Sequence, residues 1–376
     1  MKIGLVVDDG LDRLDGVQKY TVTIGEHFRS LGHEVHYLAG QTLRKDISNI
    51  HSLSKNLRVV FNGGNQLSIP LPASRRKLKN LLNKEMFDVI HVQTPYSPFM
   101  AGRIIKYAPK STAIVGTFHI LPYGFISFWG SWILGTMQRF TLRKFDTFFS
   151  VSIPAQEFAN KTFGIESRVI PNPVDTAIYK PTESQKPNKN LNIVYLGRLV
   201  KRKGCQQLLK AIYEITKNGQ NEKELNVHIL SDGALRPKLE RYTQSHGLDE
   251  IVKFHGYTDE SEKVKLLQKA DIAVFPSISG ESFGIVLVEA MAAGAGVVLA
   301  GDNPGYRSVI NDDDVLFNPR DITQLADMLE GFINDDAYRH AKHTEQQHNL
   351  AKYDLESVGN EILKQYKICK SRHPQT

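Results

Sequence analysis

DIAVFPSISGESFGIVLVEAMAAGAGVVLAG, residues 271–301, divides into a short apolar run, a loop carrying Gly280, a stretch of helical length rich in small residues, and a second apolar run. An apolar run of this length bounded by turn residues suits a strand buried on both faces. Strand, helix and strand in succession make the two strands parallel, with the helix covering one face of the sheet.

The same alternation extends on both sides. Upstream lie LNIVYLG (191–197), a helix over 204–218, LNVHILSDG (225–233), a helix over 235–245, IVKFHG (251–256) and a helix over 261–269. Nearer the start come KIGLVV (2–7), a helix over 17–31, EVHYLA (34–39), DVIHV (88–92) and STAIVGTF (111–118). Strand alternating with helix specifies an α/β fold. Because 376 residues exceed what one hydrophobic core usually organises, two Rossmann-like domains facing a central cleft are expected. Residues 170–190, IPNPVDTAIYKPTESQKPNKN, lack periodicity and mark the linker. The expected domains are therefore 1–183 and 184–354, with a last helix over 357–369 in the segment 355–376 returning to the first domain.

Composition narrows the class. With 41% hydrophobic and 23% charged residues the chain is globular. The greasiest stretch, Phe125 to Gly135 (FISFWGSWILG), is too short to cross a bilayer. MKIGLVVDDG reads as a first strand rather than a secretory signal. Two distant cysteines, Cys205 and Cys369, exclude a disulfide framework and a thiolate metal site and fit a cytoplasmic location. A net charge of +7 suits anionic lipid, nucleic acid or a phosphate-bearing substrate.

In GESFGIVLVEAMAAG (280–294), Glu281 stands at the helix entrance and Glu289 about two turns further on. The N–H groups of Phe283, Gly284 and Ile285 at that entrance form an anion site, so a phosphate could sit there with Glu281 on a sugar and Glu289 on a ribose. Taken alone, Glu281 would read as a first-turn acid and Glu289 as a solvated helix residue; the glycine-rich loop and Ala290, Ala292 and Ala293 favour close backbone approach instead. LGRLVKRKG (196–204) places Arg198, Lys201, Arg202 and Lys203 beyond a parallel strand, where cations can neutralise a diphosphate or remain a solvated loop. The first half adds Gly16 at a helix entrance and His119 just after a strand. No GxGxxG follows the first strand, which counts against a nicotinamide-dependent oxidoreductase.

Together these segments resemble the family-four retaining glycosyltransferases of GT-B fold, whose hallmark Glu-x7-Glu motif stands here as Glu281 and Glu289. Within that family the chain is most similar to bacterial phosphatidylinositol mannosyltransferases, in DGVQ, GHEV, FDVIHV, GTFH, ADIAVFPS and ESFGIVLVEAMAAG in order. The resemblance implies that Gly16 touches the donor phosphate, Arg198 and Lys203 hold the diphosphate, Glu281 binds the transferred sugar, Glu289 the ribose, and His119 the sugar on its reacting side. It implies a nucleotide-sugar donor, no metal, no other cofactor, and Asn62 of FNGG near the acceptor. Where relatives with an inositol acceptor tend to carry an aromatic in the first loop, this chain has Asp8 and Asp9.

SRRKLKNLLNK (74–84) reads as a short cationic amphipathic helix, with Arg75, Arg76, Lys77 and Lys79 around Leu78, Leu81 and Leu82. The corresponding segment of the mannosyltransferases binds membrane, and Trp129 and Trp132 offer interfacial anchors. The expected activity is transfer of mannose from GDP-mannose to a phosphatidylinositol-type lipid at the cytoplasmic face of an anionic membrane, with no nucleic-acid partner. Two alternatives stay open: a UDP-sugar-dependent glucosyl- or N-acetylglucosaminyltransferase acting on another lipid or a soluble sugar, and a non-catalytic nucleotide-sugar or membrane-binding module.

Overall fold

Strands β1 (Lys2–Val7), β2 (Glu34–Ala39), β3 (Ile50–Ser52), β6 (Val89–Val92), β7 (Ala113–Phe118), β8 (Thr147–Ser150) and β9 (Arg168–Val169) pair in the order β3-β2-β1-β6-β7-β8-β9. Their pairings are parallel, from Lys2 opposite Glu34 to Ser150 opposite Val169. β4 (Asn56–Phe61) and β5 (Asn65–Pro70) form a separate two-stranded sheet. The computed structural model describes residues 1–12, 16–61, 65–121, 138–179, 190–217 and 223–373.

A second parallel sheet has the order β12-β11-β10-β13-β14-β15, built from β10 (Asn190–Leu196), β11 (Glu224–Leu230), β12 (Val252–Gly256), β13 (Ile272–Phe275), β14 (Val297–Gly301) and β15 (Leu316–Phe317). In each sheet the winding direction reverses once, between β1 and β6 and between β10 and β13. Ligands in open parallel sheets bind beyond the carboxyl ends of the strands at such a reversal, so the loops after these four strands are where chemistry is expected.

Met1–Phe61, Gln66–Pro173 and Leu355–Thr376 form one unit and Val174–Asp354 the other. The chain changes unit at Pro173/Val174 rather than at residue 183, because Val174 already bonds the far end of the second unit: its N–H donates to the Tyr353 carbonyl at 2.8 Å and it bridges Asp354. From there helix Leu355–Lys370 runs back onto the first unit. Val358, Ile362, Tyr366 and Cys369 enter a core with Tyr20, Ile24 and Phe28 from helix Gly16–Ser30. The Tyr366 hydroxyl meets Nδ1 of buried His91 at 2.6 Å.

Helix Arg75–Glu85 forms where the basic amphipathic segment was expected, but its apolar face is used by the fold. Leu78 and Leu82 are buried in a cluster with Ile90, Val92, Met100 and Ile104, so they are withdrawn from any membrane, while Arg75, Arg76, Lys77 and Lys79 are exposed. Tyr107 anchors this face, with Arg75 at 5.7 Å and Lys79 at 5.6 Å from its ring centre. Leu78→Ala is expected to cost about 3 kcal/mol in a denaturant melt, the penalty of a core cavity. A leucine reserved for lipid would melt unchanged. Trp129, Trp132 and Asn62 lie outside the described residues.

Candidate active site

Beyond β10 the chain winds Lys201–Lys203 into one 3₁₀ turn and stops it with Gly204 at φ 74°. A side chain at Gly204 would suffer twice, from the left-handed backbone and from collision with the Pro276 carbonyl. This turn is stitched to the loop after β13: the Ile278 N–H donates to the Arg202 carbonyl at 2.7 Å and Ser277 Oγ to the same oxygen at 3.2 Å. Asn303 braces that loop, its amide donating to the carbonyls of Ser277 (3.1 Å) and Gly301 (3.0 Å). At Gly305 a Cβ would clash with the Glu281 carbonyl, so helix Pro304–Arg307 abuts Glu281 only through bare backbone.

Glu281 is the focus of this arrangement. One of its carboxylate oxygens accepts from Ser277 Oγ at 2.6 Å, Lys203 Nζ at 2.7 Å and Arg202 Nη1 at 3.1 Å. Burial opposes its ionisation, but Lys203 and Arg202 outweigh burial and hold the carboxyl below its ordinary range. Lys203 is itself lowered, chiefly by burial, with Glu281 pulling the other way. Arg198 is half-buried and makes no ion pair among the described residues. The expected basic cluster is thus brought together, but Arg202 rather than Arg198 joins Lys203 on Glu281.

Gly284 caps helix Ile285–Ala292, and the N–H groups of Phe283, Gly284 and Ile285 meet no carbonyl among the described residues. Free donors at a helix start, beside three cations and one acid, suit an anion carrying a sugar. Glu289 lies further along this helix but is not solvated: it is 4% exposed and 3.2 Å from Lys263 Nζ. Lys263 also meets Glu260 at 2.8 Å and the Tyr179 hydroxyl at 2.8 Å. Burial, then Glu289, push the Tyr179 phenol above its ordinary value. At the end of β11, Ser231 takes φ 129°, rare for a non-glycine residue, and donates its N–H to the Gly256 carbonyl at 2.8 Å.

In the first unit, the carboxyl ends of β1, β6 and β7 carry Asp8, Gln93 and His119. His119 Nε2 is 2.7 Å from Gln93 Oε1, and burial lowers the imidazole to about 3, so it stays neutral at physiological pH. The Tyr20 ring meets it edge-on at 4.7 Å. Gly16 is exposed, and among the described residues nothing lies within 4 Å of where a Cβ would stand.

Comparison with known proteins gives this geometry its family. "Glycosyltransferase Family 4" matches residues 14–178 and "Glycosyl transferases group 1" residues 179–353. A phosphatidyl-myo-inositol mannosyltransferase of Mycolicibacterium smegmatis is 30% identical over 372 residues, covering 97% of this chain and 93% of its own length. The chain belongs to glycosyltransferase family 4. It is a hexosyltransferase by that membership. The Mycobacterium leprae phosphatidyl-myo-inositol mannosyltransferase is 28% identical, covering 97% of this chain and 96% of its own length. A glycosyltransferase structure from Rickettsia africae superposes with TM-score 0.78 at 17% identity, covering 98% of each chain, which shows a common GT-B fold.

Several neighbours of the expected residues were not identified from the glycosyltransferase motifs: Ser277, Asn303, Lys263 and Tyr179. For Lys263 and Tyr179 no sequence signal exists, since 84 residues separate them. Among the described residues the one grouping with metal-ligand chemistry is Glu34 and His36, at the amino end of β2, with Glu85, at the end of helix Arg75–Glu85. Lys2 Nζ already bridges its carboxylates at 3.0 and 3.2 Å. Among the described residues no helix is long and apolar enough to cross a membrane.

Proposed function

We propose that this glycosyltransferase moves mannose from GDP-mannose to a phosphatidylinositol-type lipid with retention of configuration and without a metal ion. The observation that carries the reading is the grouping at the β10/β13 reversal: Arg198, Arg202 and Lys203 beside free helix-start amides, with Glu281 held ionised among them. The diphosphate is assigned to Arg198, Lys203 and the amides of Phe283, Gly284 and Ile285, the transferred sugar to Glu281, and the ribose to Glu289. Gly16 is assigned to the donor phosphate, His119 to the sugar and Asn62 to the acceptor. A neutral His119 offers hydrogen bonds rather than an acidic proton.

Chemically, the bond from C1 of the sugar to the diphosphate oxygen breaks and its electron pair leaves with the diphosphate. The acceptor hydroxyl attacks C1 from the same face and its proton passes to that departing oxygen. Cations fixed beside the leaving group stabilise charge that grows only as the bond stretches, so they lower the barrier rather than merely tighten binding.

The 28–30% identity to phosphatidyl-myo-inositol mannosyltransferases over 97% of the chain supports mannose as the sugar and this acceptor. The exposed face of Arg75, Arg76, Lys77 and Lys79 supports peripheral association with anionic lipid, each basic residue adding about 1 kcal/mol. Replacing the four with Ser is expected to release the protein from anionic vesicles while leaving nucleotide binding intact, as read by co-sedimentation and thermal shift. A protein that ignores anionic vesicles from the outset refutes the membrane role. For the donor, a thermal-shift screen of GDP, UDP, ADP and their sugars is expected to favour GDP, in the presence of EDTA as well as magnesium. Preference for UDP overturns the mannosyl reading, and a requirement for magnesium overturns the metal-free one.

A further inference from the structure

Three polar side-chain atoms with no hydrogen-bond partner among the described residues stand at the β1/β6 reversal: Asp8 Oδ2, Gln93 Nε2 and Thr94 Oγ1. The strands pair up to Val6 opposite Val92, and the Gln93 N–H donates to the Val6 carbonyl at 3.0 Å. Asp8 and Thr94 each follow two residues later, just past the carboxyl ends of these adjacent strands. Asp8 is 8% exposed and Gln93 fully buried.

Each group is fixed through its other atom. Asp8 Oδ1 accepts the Ala101 N–H at 2.8 Å, at the start of helix Met100–Tyr107. Gln93 Oε1 is taken by His119, which turns the amide N–H pair the other way. Buried polar atoms left unpaired weaken a fold, so three of them gathered where ligands enter parallel sheets indicate partners brought by a ligand. The set offers a carboxylate acceptor, an amide donor and a hydroxyl that does either. That combination matches adjacent hydroxyls, each of which donates and accepts. Phosphate does not match, because Asp8 and its neighbour Asp9 are both acids.

We propose that Asp8, Gln93 and Thr94 bind adjacent unphosphorylated hydroxyls of a neutral polyol ring on the acceptor. This rests on the glycolipid-synthesising reading above and adds which part of the acceptor is recognised. It also carries a stability signature. Burial raises the Asp8 carboxyl to about 6, with Asp9 pushing the same way and Ser97 and the Ala101 N–H opposing. Among the described residues the Tyr96 phenol also faces it. Since the folded value lies above the unfolded one, ionising Asp8 costs stability, fully above pH about 6 and not at all below the ordinary carboxylate value. Asp8→Asn keeps an oxygen for Ala101 and removes that cost.

The test compares wild type, Asp8→Asn and Thr94→Val at pH 8 with GDP-mannose and phosphatidylinositol vesicles. Asp8→Asn is expected to raise Tm by about 6–12 °C, yet both variants lower kcat/KM for the lipid by about tenfold or more. The KM for GDP-mannose and its acceptor-free hydrolysis stay as in wild type. Unchanged lipid kinetics in both variants, or a changed donor KM, overturns the proposal. If wild type makes no glycolipid, the donor–acceptor reading fails separately, and saturation-transfer NMR with free myo-inositol, glycerol and glucose decides the site. A polyol signal lost in either variant supports it; no signal in wild type, or one unchanged in both variants, overturns it.

Discussion

Arg198→Ala is expected to lower turnover about 10²- to 10³-fold with no change in Tm, and Lys203→Ala to lower turnover as much while also lowering Tm. The two differ because of what each side chain does before substrate arrives. Arg198 is half-buried without an ion-pair partner among the described residues, so the fold loses little when it goes. Lys203 lies 2.7 Å from Glu281, and its removal leaves that buried carboxylate to Arg202 and Ser277 alone. Turnover measured beside thermal melts separates the two effects. Near-normal turnover in both variants would remove the leaving-group role from this cluster.

The second large effect is on stability. Lys263→Met leaves Glu289 buried without its cation, and such a group costs about 3 kcal/mol, or a Tm lower by about 6–12 °C in a unit of this size. Adding Glu289→Gln removes the stranded charge and is expected to restore most of the loss. Glu289→Gln alone should melt close to wild type, since Lys263 keeps Glu260, while weakening nucleotide-sugar binding through the ribose. A double-mutant cycle of melts shows the coupling, and strictly additive losses would exclude it.

Sequence and structure agree best where burial on both faces leaves continuous apolar runs. KIGLVV, EVHYLA, LNIVYLG, DIAVFPS and GVVLAG match β1, β2, β10, β13 and β14 in order to within a residue or two at each end, as do the intervening helices and the periodic stretches. The β4–β5 pair is marked in the sequence only by the Gly-Gly turn signal between the short runs of RVVFNGGNQLSIP. Amphipathicity identified helix Arg75–Glu85 but not what covers its leucines, because lipid and a protein core look the same to a pattern of apolar spacing.

Within the site, consecutive basic residues in one loop give no sign of which turns inward. A single 3₁₀ turn directs Arg202 and Lys203 onto Glu281, while Arg198, before the turn, makes no ion pair among the described residues. The partners of Glu289 come from Lys263 and Tyr179, far apart in the chain, and only the fold brings them together. The unpaired atoms of Asp8, Gln93 and Thr94 were equally illegible, since satisfaction of a hydrogen bond is a property of neighbours rather than of residue type.

Retention by a mannosyl transfer to lipid is read from the product. Incubating the protein with GDP-mannose and phosphatidylinositol vesicles in EDTA, then recording the one-bond C1–H1 coupling of the extracted glycolipid by NMR, reports the configuration at the new bond. An α-mannosyl lipid formed without added metal is the predicted result; a β-linked product, or release of free mannose with no glycolipid, would contradict it.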